Sequence, residues 1–107
     1  MPGMRGLTIL VAAADPERFH AALSLAAAQA ALGGRARLHL QGEAVALLDE
    51  RHSDLRELRV EAAALGAVIT ACQSGLAGRE GDLPPDVEAD GLVGLLSRLG
   101  DDRLVVF

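Results

Sequence analysis

"LTILVAAADPERFHAALSLAAAQAALGGRARLHL", residues 7–40, decides the architecture. Leu7 to Ala13 is a continuous apolar run, the pattern of a strand covered on both faces. Asp15-Pro16-Glu17 then starts a helix. The aspartate caps free N–H groups, proline fits the first helical turn, and glutamate suits the positive end of the dipole. Phe19, Leu23, Ala26, Ala27 and Ala30 recur at three- and four-residue spacing and make one apolar stripe, which Gly33-Gly34 closes. In "RARLHLQ" (35–41), Ala36, Leu38 and Leu40 fall on one face and Arg37, His39 and Gln41 on a wetter one, so a second strand follows.

The same alternation of elements continues. A short helix is expected over Glu43 to Leu48. Asp54 with Glu57 has the spacing of a capping box, and Leu55, Leu58, Ala62 and Leu65 form the stripe of the helix it opens. Gly66 ends that helix, and Ala67–Ala71 reads as a third, buried strand. Residues 73–88 hold three glycines and two prolines and read as an irregular loop with room for one helical turn and a brief extended stretch near Val87. Asp90 is placed to cap a helix carrying Leu92, Val93, Leu95, Leu96 and Leu99, and "RLVVF" (103–107) is the last strand. Strands separated by helices imply right-handed crossovers. The expected fold is therefore α/β, one domain over residues 1–107, with a mostly parallel sheet of four to five strands and helices on both faces.

Composition removes several functions. There is no Lys among the ten basic residues, which excludes Schiff-base and phosphate-loop lysine chemistry. The net charge of −5 and the absence of Trp and Tyr argue against nucleic acid as a partner. No apolar run is long enough to span a bilayer. "MRGLTILVAAAD" has the outline of a short signal peptide, but β-branched Thr8, Ile9 and Val11 and the capped helix behind them favour a strand, so a cytoplasmic protein is expected. His20, His39 and His52 share no ligand spacing, so neither a metal site nor a cofactor is expected.

Folds of this kind bind at the carboxyl ends of their strands. Two segments meet that rule: the "AADPE" turn with Asp15, and "CQSG" (72–75) after the third strand. Cys72 is the only cysteine, so it cannot form an internal disulfide. It is either a small buried hydrophobe or a working thiol whose thiolate is stabilised by free N–H groups of the following turn. Gly75 lets that turn close tightly, and Gln73 and Ser74 add hydrogen-bonding groups. Asp15 is most simply a helix cap. His39 reads as a polar residue on a solvent- or subunit-facing surface, with the alternative that it faces the Cys72 region.

The order of segments is similar to that of the DsrE/DsrF-like family of small sulfur-relay proteins. "LTILVAAADPERFHAALSLAAAQAALGGRARLHL" resembles the family's opening strand, alanine-rich helix and second strand. "LGAVITACQSGLA" resembles its third strand ending in Cys, "DLPPDVEADGLVGLL" its loop and final helix, and "DRLVVF" its closing strand. The resemblance implies a three-layer α/β/α sandwich with a five-stranded parallel sheet, assembly into homo- or hetero-oligomers, and a cysteine, here Cys72, that accepts persulfide sulfur and passes it to an acceptor thiol. A sulfur-donor or acceptor protein would be the partner. Two rival expectations stand beside this one: a non-catalytic binding or assembly module with an inert Cys72, and a small-ligand pocket built from Asp15 and the backbone of residues 73–78.

Overall fold

In the computed structural model, which describes residues 4–49, 51–76 and 83–107, strands and helices follow one another along the chain. They are β1 (Leu7–Val11), α1 (Pro16–Ala31), β2 (Ala36–Leu40), a 3-10 segment (Gly42–Leu48), α2 (Ser53–Ala64), β3 (Val68–Cys72), α3 (Gln73–Leu76), β4 (Val87–Asp90), α4 (Leu92–Ser97) and β5 (Arg103–Val106). All strand pairs are parallel and the sheet order is β4-β3-β2-β1-β5. The first three crossovers step the chain from β1 towards β4. The last one returns it past β1 to the opposite edge. With right-handed crossovers, that reversal sends α4 to the other face from α1 and α2.

The burial pattern agrees with this arrangement. Leu7, Ile9, Val11, Leu38, Leu40, Ile69 and Ala71 project to one side of their strands and form a core with Phe19, Leu23 and Ala26 of α1 and Leu55 and Ala62 of α2. At roughly 25 cal/mol per Å², burying such side chains supplies most of the drive to fold. On the other side of the sheet, Leu95 of α4 is buried beside Thr70. The long first helix begins as its sequence predicts. Asp15 is extended, its Oδ1 accepts the Glu17 N–H at 2.9 Å, and Pro16 occupies the first helical turn.

At the amino ends of the strands, Asp102 is a buried clamp. Its carboxylate accepts the Thr8 hydroxyl at 3.0 Å and pairs with Arg35, joining β1, β5 and the approach to β2. A pair with both partners largely buried, Arg59 Nε to Asp86 Oδ2 at 2.7 Å, ties α2 to the segment that enters β4.

Several local expectations change. Val68 is exposed rather than buried, because it opens β3 on the face that α4 covers only in part. The cap of α2 is His52, and Asp54 lies inside the first turn, where helical backbone prevents it from acting as the cap. Leu65 follows the helix at its C-cap and is exposed. Asp90 belongs to β4, so Gly91 caps α4, which ends at Ser97, short of Leu99. Of the loop expected over 73–88, residues 77–82 lie outside the described residues; Gln73–Leu76 forms the helical turn and Val87 begins a strand. No helix among the described residues is long and apolar enough to cross a membrane.

Candidate functional site

Cys72 is the last residue of β3, and α3 begins at the next position. Its sulfur therefore lies where a strand hands over to the start of a helical turn. Ser74 Oγ is 2.9 Å from Sγ, and the backbone N–H groups of Gly42, Gly75 and Ser74 are directed at the same atom. Burial pushes the thiol pKa up, since the residue exposes only 4 % of its surface. The Ser74 hydroxyl and the three backbone donors outweigh that penalty and bring the pKa down to about 7. Near neutral pH a large fraction of the sulfur is thiolate. With the thiolate present the Ser74 hydroxyl donates to it.

Two glycines make this cradle fit. Gly42 has φ +58°, a left-handed conformation that turns the chain sharply at the end of β2. Gly75 leaves no room for a side chain: a Cβ there would lie 2.6 Å from the Gly42 carbonyl oxygen and 2.9 Å from Val45 Cγ2. The turn after β3 thus packs directly on the turn after β2. Donors from two separate loops reach one sulfur because β2 and β3 are neighbours in the sheet.

The residues around the thiol's own strand are also paired. In register, Cys72 lies opposite Asp90 of β4, and His39 of β2 opposite Thr70. Alternation puts Thr70 and Cys72 on one side of β3. His39 is wholly buried, which corrects the expectation of a solvent- or subunit-facing residue; it sits between Thr70 Oγ1 at 2.7 Å from Nδ1 and Gln41 Oε1 at 3.0 Å from Nε2. Burial pushes its pKa below the ordinary value, against the opposing effects of the Gln41 hydrogen bond and the Asp90 charge. A neutral ring donates from Nε2 to Gln41 Oε1 and accepts the Thr70 hydroxyl at Nδ1. Asp90 turns towards α4, where its Oδ1 accepts the Gly91 N–H at 2.8 Å and its Oδ2 pairs with Arg98.

The structure brings Cys72, Ser74 and Gly75 together and sets Asp15 apart. The sheet order places β2 between β1 and β3, about two strand spacings or ~10 Å. Asp15 is occupied in capping α1 and lies 3.7 Å from Arg18 Nε. Gln73 opens α3, with its Oε1 near Gly91, the cap of α4. Gly42 is the contributor that sequence reasoning missed. A glycine directly after the strand "RLHLQ" is the same cue that singled out Gly75, but nothing local says which strand it will face.

Two cavities flank this region. One of about 520 Å³ lies between the 3-10 segment, α2 and residues 83–86, lined by Val45, Arg56, Arg59 and Leu76 among others. The other, about 390 Å³, lies on the α4 side between Arg37, Thr70, Glu88, Asp90 and Arg98. Asp15 lines neither cavity; of the stretch 73–78 expected at a small-ligand pocket, Leu76 lines the larger one, and residues 77–78 lie outside the described residues. Chemically, the site offers one low-pKa sulfur nucleophile in a ring of neutral donors. Among the described residues no cluster of His, Cys, Asp and Glu could hold a metal ion. No protein-family model matches the chain, and no curated protein matches it at a significant level.

Proposed function

We propose that this chain is a DsrE/DsrF-like sulfur carrier that holds sulfane sulfur on Cys72. The supporting observation is the set of donors around Sγ, from Ser74, Gly42 and Gly75, which favours the thiolate near neutral pH. The Cys72 thiolate attacks the terminal sulfur of a donor persulfide, R–S–SH. The donor S–S bond breaks, a new one forms to Cys72, and R–S⁻ leaves to take a proton from water. In the second step an acceptor thiolate attacks the outer sulfur of Cys72–S–SH and releases the Cys72 thiolate. Both exchanges are redox-neutral and need no cofactor. The same donors that favour the thiolate make Cys72 a good leaving group in the second step.

The protein works in the cytoplasm, where thiols stay reduced, and as an oligomer that meets protein donors and acceptors. Apolar side chains left exposed at Val93, Leu96, Leu104 and Val106 support assembly. A defined oligomer in sedimentation at micromolar concentration is the expected result; a stable monomer counts against that part of the reading.

The low exposure of Cys72 favours one second reading, a non-catalytic assembly module with a sealed, inert thiol. Intact-mass analysis after incubation with a persulfide donor separates the two. The carrier gains one sulfur that a reductant removes, and Cys72→Ser gains none. If native Cys72 takes up no sulfur and alkylates only in denaturant, the module is the correct reading.

A further inference from the structure

The geometry points to His39 as a positioning residue that, through Gln41, holds the Gly42 N–H on the Cys72 sulfur. This inference concerns how the sulfur is held and stands whatever chemistry Cys72 performs.

The relevant contacts close on themselves. From Cys72, β3 runs back to Thr70, whose hydroxyl meets His39 Nδ1 at 2.7 Å. His39 Nε2 reaches Gln41 Oε1 at 3.0 Å. Gln41 is joined by one peptide to Gly42, whose N–H is directed at Cys72 Sγ. The orientation of that peptide decides where the N–H points, because C=O and N–H of a trans peptide are antiparallel. Three contacts restrain it. The Gln41 carbonyl accepts the Ala44 N–H at 3.1 Å, the Gln41 N–H donates to the Val11 carbonyl at 2.9 Å, and His39 holds the Gln41 side chain. Gly42, at φ +58°, has the freedom to rotate if these restraints weaken. Of the three, only the His39 contact links this corner to β3, the strand that carries the thiol.

Burial makes the restraint stiff. His39 is wholly buried with a partner on each ring nitrogen, so its ring has no alternative water partners and no free rotamer. A histidine that merely stitched β2 to β3 would affect stability alone. A positioning histidine also sets the thiol's acidity.

The pH dependence of iodoacetamide alkylation, measured on folded protein, tests this. His39→Gln shortens the reach between Thr70 and Gln41. Gln41→Met removes the acceptor at a less buried position, so the fold survives more readily. In each, the Cys72 pKa is expected to rise by about one unit towards the free-thiol value of about 8.5, with alkylation at pH 7 slowed several-fold. The double variant should shift it no further than the larger single change, since both cut one chain of contacts. Folded variants with an unshifted thiol pKa, or additive shifts in the double variant, would overturn the proposal. Failure of wild-type protein to load sulfur sinks the carrier reading instead and leaves this comparison intact.

Discussion

Gly75 lies against the Gly42 carbonyl so closely that a Cβ on Gly75 would stand 2.6 Å from that oxygen. Backbone, rather than a flexible side chain, occupies the space, so the contact cannot yield cheaply. The thiol cradle exists because these two turns interlock. Gly75→Ala should therefore force them apart, at a cost of about 1–3 kcal/mol in chemical denaturation. The same change should raise the Cys72 pKa by moving the Gly42 and Gly75 donors away from the sulfur. A folded Gly75→Ala protein with normal stability and normal thiol acidity would show that the close approach is unimportant.

Cys72 makes stability depend on pH. Its folded pKa, about 7, lies below the ordinary thiol value. A group depressed in this way contributes stability that is fully present above the unfolded pKa of about 8.5 and is lost as pH falls through the folded value. Unfolding midpoints of the wild type measured from pH 9 to pH 6 should fall relative to those of Cys72→Ala, which has no thiol to titrate. Parallel curves for the two proteins over that range would contradict the lowered pKa.

Asp102 works in the same sense at a lower pH. Burial pushes its pKa up, but hydrogen bonds from Arg35 and Thr8 and the nearby charges of Arg35 and Arg37 bring it below the usual carboxylate range. Its contribution is present above about pH 4 and disappears as acid protonates the folded carboxyl. Asp102→Asn should cost about 1.5–3 kcal/mol at pH 7, the range for a hydrogen bond to a charged group. Arg35 contributes little to this cost, because half of its side chain faces water. The variant should also lose part of the wild type's acid sensitivity between pH 5 and pH 2, read by circular dichroism.

Arg59→Met should destabilise by roughly 3 kcal/mol, because it leaves Asp86 facing an apolar chain in a site where both partners are largely buried. Adding Asp86→Leu should recover much of that loss. A double-mutant cycle on urea midpoints gives the coupling directly, and a cycle with no coupling would show that the pair holds nothing together.

The parallel sheet was legible because its signals are local. The apolar run at Leu7–Val11, the Asp15-Pro16 start, and the alternation at Ala36–Leu40 each depend on neighbours a few residues away. Cys72 at a strand end was legible for the same reason, as was the hydroxyl of Ser74 two positions on. Partners distant in sequence were not. Asp102 reaches Thr8 across ninety-four positions, and His39 reaches Thr70 across thirty-one.

By itself the sequence determined the order and type of the main elements and placed the one thiol at the carboxyl end of a strand, since period and capping act within a turn or two of chain. Only the tertiary structure decided what surrounds that thiol. The sheet order makes β2 its neighbour and keeps β1 away, so Gly42 supplies a donor while Asp15 does not. It also buries His39, which alternation alone assigned to a wetter face, with Thr70 of the neighbouring strand and Gln41 as its partners. Strand order and layer are set by which surfaces pack together, and that is a property of the whole chain.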